Sequence, residues 1–431
     1  MKKFVVIFLI LIVSLIVFIG HKIDLGYYKL YINSNNELVI GLFDNNISCQ
    51  LTGNEIDDNN WKKAVNKQCI YSLEDKTYKL YIKFNDGNIK EIKEVQNLGK
   101  IIKTELNTSK IYLALNESYD LNLDIEAIGN VDKTYKWTST NNEVVEIKNN
   151  QIIAASVGNT IIEANFNHET YKVEVVVTDK ILAAPQKYDA NKKYLECNVF
   201  SEEDNDLIDE ILKYKINNVG YKTRAAAVEA ARFLTLNFPY KINYFYENGR
   251  ATTYGVKPLA YGEGRYYNEG LYLHESRYKN ILKSVKGPAT WGCDLYSKVE
   301  GRTTGNGLNC SGFVAWVLKN AGYDPGDIGA GITSVFDFTD ISKKEKLTNN
   351  LIKGTTIKSG DLLYSSRVGG HIAIIVGIDD TNYYVAEAYW DVPRGVVINT
   401  YKKSNVTDYF SYVILMDEYY QNEGNYTELW Y

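Results

Sequence analysis

The sequence predicts a multidomain chain with an N-terminal transmembrane helix, two all-β sandwiches and a C-terminal α+β domain. Three observations lead to this fold class. An apolar run fills residues 4–19, short alternating strands between turn residues fill 27–178, and helical periodicity begins only after residue 194. At 431 residues the chain has room for several domains, and 45% apolar residues allow each of them a core.

The N-terminal segment combines Met1-Lys2-Lys3 with the apolar run "FVVIFLILIVSLIVFI". A cleaved signal peptide and an uncleaved membrane anchor are both compatible with such a run. No small-residue cleavage site precedes Lys22 and no cysteine follows it to carry a lipid, so we favour an anchor over residues 1–22. The lysine pair marks the cytoplasmic side. We therefore expect a single-pass protein of the bacterial cell membrane whose bulk is extracellular, in the cell wall.

Residues 27–98 and 104–178 are each predicted to form a small β domain. In the first, alternate residues from Tyr78 to Phe84 share one face, and an Asp-Gly turn follows. The second contains "YKWTSTNNEVVEI", "IIAASVGNTIIEANF" and "YKVEVVV", and through them it resembles bacterial immunoglobulin-like domains of the second group. The first resembles immunoglobulin-like domains only loosely. Neither carries a cluster suited to catalysis, so both are expected to be spacers or modules that bind cell-wall polymers.

The five cysteines are consistent with an exported chain, in which disulfides can form. Cys49 and Cys69 share one small β domain and either pair or stay free. An odd number leaves at least one thiol out of any internal pairing, and we expect Cys310 to be that thiol. The full set is Cys49, Cys69, Cys197, Cys293 and Cys310.

Residues 178–193 are the predicted interdomain linker, and 194–284 are predicted to form a helical accessory region. The first helix is expected to start near Ser201 with an apolar stripe from Leu207 to Leu212. A second helix, "RAAAVEAARFLTLNF", is expected to end before Pro239. The rest of this region is rich in Tyr and Gly and is expected to be a long ordered loop.

Cys310 lies in "GLNCSGFVAWVLKNAG", where a glycine-containing loop runs into a short apolar helix. A cysteine in the first turn of a helix is near unpaired N–H groups and the positive end of the dipole, which favour a thiolate. Backbone N–H groups at the same turn could bind an oxyanion. The alternative is a buried and unreactive cysteine, because free cysteine is commonly buried.

A thiolate nucleophile needs a base and a group that orients it. His371 follows two glycines at the start of an apolar strand, "GGHIAIIVG", so a rigid element would present its ring. Glu387 stands between two alanines in the next strand, "YYVAEAYW", and a buried carboxylate there needs a partner such as His371. The alternatives are a polar histidine at a strand end and a glutamate on the exposed face of an edge strand.

The order of these residues resembles the NlpC-type (p-sixty family) cysteine peptidases of bacterial cell walls. The resemblance covers residues 285–431 and rests on "GPATWGC", "NCSGFVAWVL", "IKSGDLLYSS", "GGHIAIIVG" and "YYVAEAYW". It implies a papain-like α+β fold and cleavage of peptidoglycan stem peptides, typically at the γ-D-glutamyl bond to a diamino acid. Three positions depart from the family pattern: Asn309 replaces the usual Asp, Ala289 replaces a frequent Tyr, and Glu387 replaces the common His.

The expected function is therefore a cysteine endopeptidase that acts on peptidoglycan through Cys310, His371 and Glu387. Asn309, Ser311 and Trp291 are further candidates to line the oxyanion or substrate site. A catalytically inactive wall-binding adhesin or scaffold is one alternative, and an acyltransferase with the same triad is another. We expect no metal, because the chain has four scattered histidines and no Cys-x-x-Cys pair, and no other cofactor. A net charge of −5 without a basic aromatic stripe excludes nucleic acid as an expected partner.

Overall fold

The computed structural model describes residues 23–24, 28–185, 195, 202–244, 307–323, 343–366, 370–391 and 395–425, with four short strands between 272 and 304. The predicted anchor (1–22), the second half of the linker (186–193), most of the Tyr- and Gly-rich segment, and Cys197 and Cys293 lie outside the described residues. Within the described ranges, no helix has both the length and the apolar character needed to cross a membrane.

Contacts divide the chain into two compact units. The first consists of Met1–Ile111, Ser118–Ile153 and Thr160–Val175, and the second of Tyr112–Glu117, Ala154–Asn159 and Val176–Tyr431.

The first β-sandwich consists of two four-stranded antiparallel sheets. Their strands are β1 (Ile23–Asp24), β2 (Tyr28–Ile32), β3 (Glu37–Leu42), β4 (Ser48–Thr52), β5 (Lys62–Lys63), β6 (Gln68–Ser72), β7 (Lys79–Lys83) and β8 (Ile89–Ile92), followed by a 3₁₀ turn at Lys93–Asn97. The sheet orders are β1-β2-β3-β6 and β5-β4-β7-β8. Leu80 and Ile82 from the predicted apolar face are buried between the sheets, together with Leu38 and Ile40.

The second β-sandwich follows directly. Its strands are β9 (Gly99–Leu106), β10 (Lys110–Ala114), β11 (Ser118–Asp120), β12 (Leu123–Gly129), β13 (Trp137–Ser139), β14 (Val145–Lys148), β15 (Gln151–Ala154), β16 (Gly158–Phe166) and β17 (Glu169–Thr178). They form sheets of order β10-β17-β16-β13, β11-β15-β14 and β12-β9. Trp137 is 1% exposed, and its indole N–H donates to the Leu121 carbonyl at 3.0 Å. The prediction of β-sandwiches in this part of the chain is confirmed.

The described residues of the later part of the chain form four helices and a second set of strands. The helices are α1 (Glu202–Val219), α2 (Arg224–Arg232), which continues as a π-helical turn at Phe233–Asn237, α3 (Cys310–Asn320) and α4 (Asn349–Lys353). The short strands are β18 (Asn243–Tyr244), β19 (Tyr272–Leu273), β20 (Ala289–Thr290), β21 (Tyr296–Val299), β22 (Arg302–Thr304) and β23 (Gly307–Leu308). β18 pairs in parallel with β23, immediately before Cys310.

A six-stranded antiparallel sheet forms the centre of this region. Its strands are β24 (Lys343–Lys346), β25 (Leu362–Ser365), β26 (His371–Ile378), β27 (Asn382–Tyr389), β28 (Gly395–Lys402) and β29 (Tyr412–Leu415), in the order β24-β29-β25-β26-β27-β28. A 3₁₀ turn, Val406–Asp408, precedes β29. Side chains alternate between two faces. Ile374 and Ala386 belong to the core that contains α3, whereas Ile375 and Val385 belong to a separate core on the other face.

Helix α3 is buried along almost its whole length. The apolar spacing predicts one buried stripe, but every residue from Ser311 to Leu318 is buried. The reason is that α2 and β26 both contact α3, so more than one side of the helix is covered. Helices α1 and α2 from the predicted accessory region share this core.

A buried ion pair attaches α2 to the sheet. Arg224, the first residue of α2, is fully buried, and its guanidinium lies 2.7 Å from an Asp361 carboxylate oxygen just before β25. The guanidinium also lies over the ring of Tyr420, 5.0 Å from its centroid. Removing Arg224 would leave the buried Asp361 carboxylate without its counter-charge, and such a loss typically costs about 3–5 kcal/mol. Helix α2 is therefore an integral part of this fold.

Candidate active site

Cys310 is the first residue of α3, and Asn309 is its N-cap. The Asn309 side-chain oxygen accepts hydrogen bonds from the Gly312 amide at 2.8 Å and from the Ser311 hydroxyl at 3.2 Å. This cap satisfies one of the amides that a helix start leaves unpaired. The thiol is partly exposed at the positive end of an eleven-residue helix. The local sequence therefore places a reachable sulfur where negative charge is favoured.

His371 is the first residue of β26. Gly370 before it has φ of 57°, in the left-handed region that glycine adopts without strain. The imidazole stacks on the ring of Phe410, with centroids 6.0 Å apart, and meets the edge of Tyr389 at 6.2 Å. These contacts fix the orientation of the ring on a rigid strand.

The ionisation of Cys310 is linked to that of His371. Burial opposes ionisation of the thiol, but the hydrogen bond and charge of His371, with the Ile372 amide, lower the pKa of Cys310 below its ordinary value. Burial also opposes the imidazolium, but hydrogen bonds to Cys310 and Glu387 outweigh it and raise the pKa of His371 to about 10. Both shifts favour the ion pair of a thiolate beside an imidazolium.

Glu387 completes the chain of hydrogen bonds from within β27. Its carboxylate is 0% exposed and accepts a hydrogen bond from Nε2 of His371. The remaining ring nitrogen, Nδ1, is then the one available to the Cys310 sulfur. The other carboxylate oxygen accepts hydrogen bonds from Asn399 Nδ2 at 2.8 Å and from the Tyr401 hydroxyl at 2.7 Å.

Strand alternation explains how the three residues meet. His371 and Glu387 share the face of the sheet that carries Ile375 and Val385, opposite the face that packs against α3. The sulfur therefore meets the ring at the start of β26, where the Ile372 amide also helps to lower the pKa of Cys310. The structure thus brings together Cys310, His371 and Glu387, which the sequence analysis selected.

The other predicted site residues have different positions. Asn309 serves as the helix cap, and Ser311 is 3% exposed with its hydroxyl bonded to that cap. The Ser311 backbone amide helps to lower the pKa of Cys310. Trp291 lies outside the described residues. In the part of the chain that the structure describes, no group of three or more His, Cys, Asp or Glu side chains could hold a metal ion.

Two residues of the site were missed by the sequence analysis. Asn399 and Tyr401 lie on β28, which pairs antiparallel with β27 so that Glu387 faces Val397. Residues 397, 399 and 401 alternate onto one face of the sheet. The signal was therefore present in "GVVINTYK", where polar and aromatic residues recur at alternate positions beside a strand that carries a buried glutamate.

Comparisons with known proteins leave the family open. No protein-family model and no curated protein matches the chain. Domains 4 and 5 of the S-layer protein SbsC match 36% of this chain and 92% of that one, at 12% identity and a TM-score of 0.19. A structure of SbsC domains 4–9 matches 40% of this chain and 29% of its own length, at 13% identity and a TM-score of 0.19. The N-terminal four Ig domains of Dscam1 isoform 6.9 match 36% and 52%, at 12% identity and a TM-score of 0.14. Matches with such TM-scores carry no argument, so the β-sandwiches rest on their own strands and sheets.

Proposed function

We propose that the protein is an extracellular cysteine endopeptidase that hydrolyses peptidoglycan stem peptides through a thioester. The observation that supports this most is that His371, which is hydrogen-bonded to the buried Glu387 carboxylate, also lowers the pKa of Cys310, the first residue of α3. A thiol whose pKa is lowered by an adjacent imidazolium is a nucleophile at neutral pH, where an isolated thiol is mostly protonated.

The proposed reaction has two steps. In the first, the Cys310 sulfur bonds to the peptide carbonyl carbon, the C–N bond breaks, and the His371 imidazolium gives its proton to the leaving amine. In the second, neutral His371 takes a proton from water as the water oxygen bonds to the carbonyl carbon and the S–C bond breaks. Glu387 orients the ring and stabilises its charged form in both steps. Backbone N–H groups at the start of α3 are candidates to stabilise the oxyanion.

The substrate class rests on the resemblance of residues 285–431 to NlpC-type peptidases. A buried helix that begins at the cysteine and packs on an antiparallel sheet carrying the histidine and glutamate supports the papain-like fold implied by that resemblance. The proposed bond is the γ-D-glutamyl bond to a diamino acid. In this proposal residues 1–22 anchor the chain in the membrane, and the two sandwiches hold the enzyme at wall polymers.

The test is digestion of purified peptidoglycan by the full-length chain, with the released muropeptides identified by mass spectrometry. We expect new stem-peptide fragments from the wild type and none from Cys310→Ala, because the acceptor of the acyl group is lost. Fragments from both proteins would refute catalysis by Cys310. Intact muropeptides in both would favour the scaffold alternative, and amide-linked products formed with an added amine would favour acyl transfer.

A further inference from the structure

A cavity of about 870 Å³ lies at the end of the six-stranded sheet that is opposite His371. It is bounded by α4 and the residues just after it, by the turn between β26 and β27, and by the end of β28. Its volume is within the range of about 300–1,000 Å³ that is usual for ligand sites. Asn382, which lines the cavity, is at the other end of β27 from Glu387, about 17 Å away along an extended strand. The cavity is therefore separate from the candidate active site.

Hydrogen bonds fix the walls of this cavity. The hydroxyl of the buried Tyr383 donates to the Ile352 carbonyl at 3.3 Å and so attaches α4 to β27. The Lys403 backbone N–H donates to the Thr381 carbonyl at 2.8 Å, which joins the end of β28 to the turn before β27. A site whose walls are already ordered loses little conformational freedom when a ligand binds. The cavity is therefore preformed.

Positive charge dominates the lining of the cavity. Lys353, Lys402 and Lys403 contribute three ammonium groups, whereas Asp380 is the single carboxylate among the described lining residues. Within the described part of the chain, none of the three lysines has an ion-pair partner. The Lys403 ammonium lies over the Tyr383 ring, 5.4 Å from its centroid, which leaves its N–H donors available. The chain as a whole carries a net charge of −5, so this cavity is a local region that attracts anions.

The other lining residues distinguish between classes of anion. None of those that the structure describes is an arginine, whose planar fork suits a carboxylate, whereas lysine binds phosphate as a point charge. None of them is aromatic, so the bases of a nucleic acid would have nothing to stack on. Ile352 is 3% exposed and presents no apolar surface to a bilayer. The hydroxyls of Thr355 and Ser404 can bond to the hydroxyls of a polyol.

We propose that this cavity binds a soluble polymer of polyol units joined by phosphodiesters. Each phosphodiester carries one negative charge at neutral pH, so that successive units of one chain can contact successive lysines. The inference goes beyond the proposed function and does not depend on it, because Cys310, His371 and Glu387 do not line the cavity. A polymer bound there would leave the candidate active site uncovered.

The test titrates the full-length chain into a fluorescein-labelled poly(glycerol phosphate) oligomer and follows fluorescence anisotropy at about 50 and 200 mM NaCl. The variants Lys353→Gln, Lys402→Gln and Lys403→Gln, alone and combined, remove the charge but keep a polar side chain. Asp380→Asn removes the opposing carboxylate. Lys213→Gln is the matched control for a lost charge, because Lys213 is exposed on α1 and does not line the cavity.

At the lower salt concentration we expect each single lysine variant to raise Kd by about two- to fivefold, as for exposed charge pairs, and the triple variant to raise it at least about tenfold. Asp380→Asn should lower Kd by about twofold, and Lys213→Gln should leave it unchanged. The rise from about 50 to 200 mM NaCl should weaken binding by the wild type more than by the triple variant, because fewer ions are released where fewer lysines bind. Uncharged polyglycerol should not compete.

A triple variant with the wild-type Kd would overturn the inference, as would a loss of affinity in Lys213→Gln equal to that in the single lysine variants. Equal affinity for single-stranded DNA with the same number of phosphates would also overturn it, because the cavity would then select charge alone. Binding to phosphatidylglycerol vesicles without binding to the free oligomer would indicate a membrane surface instead. Should the triple variant fail to fold, Asp380→Asn carries the test, and a Kd at or above the wild-type value would contradict the inference.

The binding assay contains no peptidoglycan, so it is independent of cleavage. A wild type that binds the oligomer but releases no muropeptides would refute the proposed function and leave this inference intact. A wild type that releases muropeptides but does not bind the oligomer would refute this inference alone.

Discussion

Two regions of the chain bury cysteine in opposite ways. In the second unit, the Cys310 thiol is partly exposed at a helix start and bonded to an imidazole. In the first unit, Cys49 and Cys69 are both 0% exposed, on β4 and β6 of the two facing sheets, and their sulfurs share a hydrogen bond. The structure has these two as free thiols rather than as the disulfide that the sequence left open.

The difference between the two regions lies in the partner rather than in burial. Loss of water opposes ionisation in both places. The interaction with Cys69, together with burial, raises the pKa of Cys49, and the same interaction lowers the pKa of Cys69. At the other site the imidazole of His371 lowers the pKa of Cys310. The two thiols only shift ionisation from one sulfur to the other, whereas the imidazolium contributes a positive charge. The reactivity of the Cys310 thiol therefore depends on the imidazole of His371 beside its sulfur.

The largest expected effect follows from removing that ring. His371→Gln should lower the alkylation rate of Cys310 at pH 7 by about 30- to 100-fold, because a thiol with a pKa at or above about 8.5 is only a few per cent ionised there. Peptide-resolved mass spectrometry measures the rate, with Cys49 and Cys69 as slow internal references. His168→Asn, in the exposed turn before β17, is the matched imidazole control and should have no effect. An unchanged rate in His371→Gln would show that the helix start alone activates the sulfur.

A smaller effect should come from Glu387→Gln. Because the pKa of His371 is raised to about 10, the imidazolium that protonates the leaving amine persists up to that pH and activity falls above it. Losing the carboxylate lowers this pKa, so the alkaline limb of kcat/KM should move down by at least about one pH unit. The rate at pH 7.5 should fall at least about tenfold.

The measurement is the pH profile of stem-peptide cleavage. Glu418→Gln, an exposed change in the same unit, is the control for the lost charge and should keep the wild-type alkaline limb. An alkaline limb that stays near pH 10 in Glu387→Gln would show that Cys310 alone sustains the imidazolium.

Much of the site follows from local sequence, and the remainder depends on registry between strands. Cys310 and His371 could be predicted because each begins a helix or strand whose apolar spacing is visible in the local sequence. Glu387 could be predicted because a charged residue between two alanines in an apolar strand needs a partner. Asn399 and Tyr401 could not be predicted in this way. The periodicity of a strand gives the face on which a residue lies, but not which residue of the next strand lies beside it. The partners of Cys49 and Cys69 depend on the pairing of two sheets in the same way. The burial of α3 under α2 depends on contacts between segments about 85 residues apart, which no local pattern encodes.

The smallest expected effect is on the free energy of unfolding. Here a cysteine substitution should matter in the first sandwich and not at Cys310. Cys69→Ala should destabilise the first sandwich by about 1–2 kcal/mol, because it leaves a void in a closed core and deprives Cys49 of its partner. Cys310→Ala should change the stability of α3 by less than about 0.5 kcal/mol, because the sulfur is partly exposed and its loss leaves the His371–Glu387 pair intact.

Amide hydrogen exchange measured by mass spectrometry reads each region separately, and about 1.4 kcal/mol corresponds to a tenfold change in exchange rate. Cys69→Ala should therefore speed exchange in β3 and β6 by about five- to thirtyfold, with α3 unchanged. Cys310→Ala should leave all three elements near wild-type rates. Equal destabilisation by both substitutions would mean that Cys310 is held by its core packing like Cys69. In that case the sulfur would be a structural atom that happens to touch a histidine, since a thiol positioned for chemistry contributes to the reaction rather than to the fold.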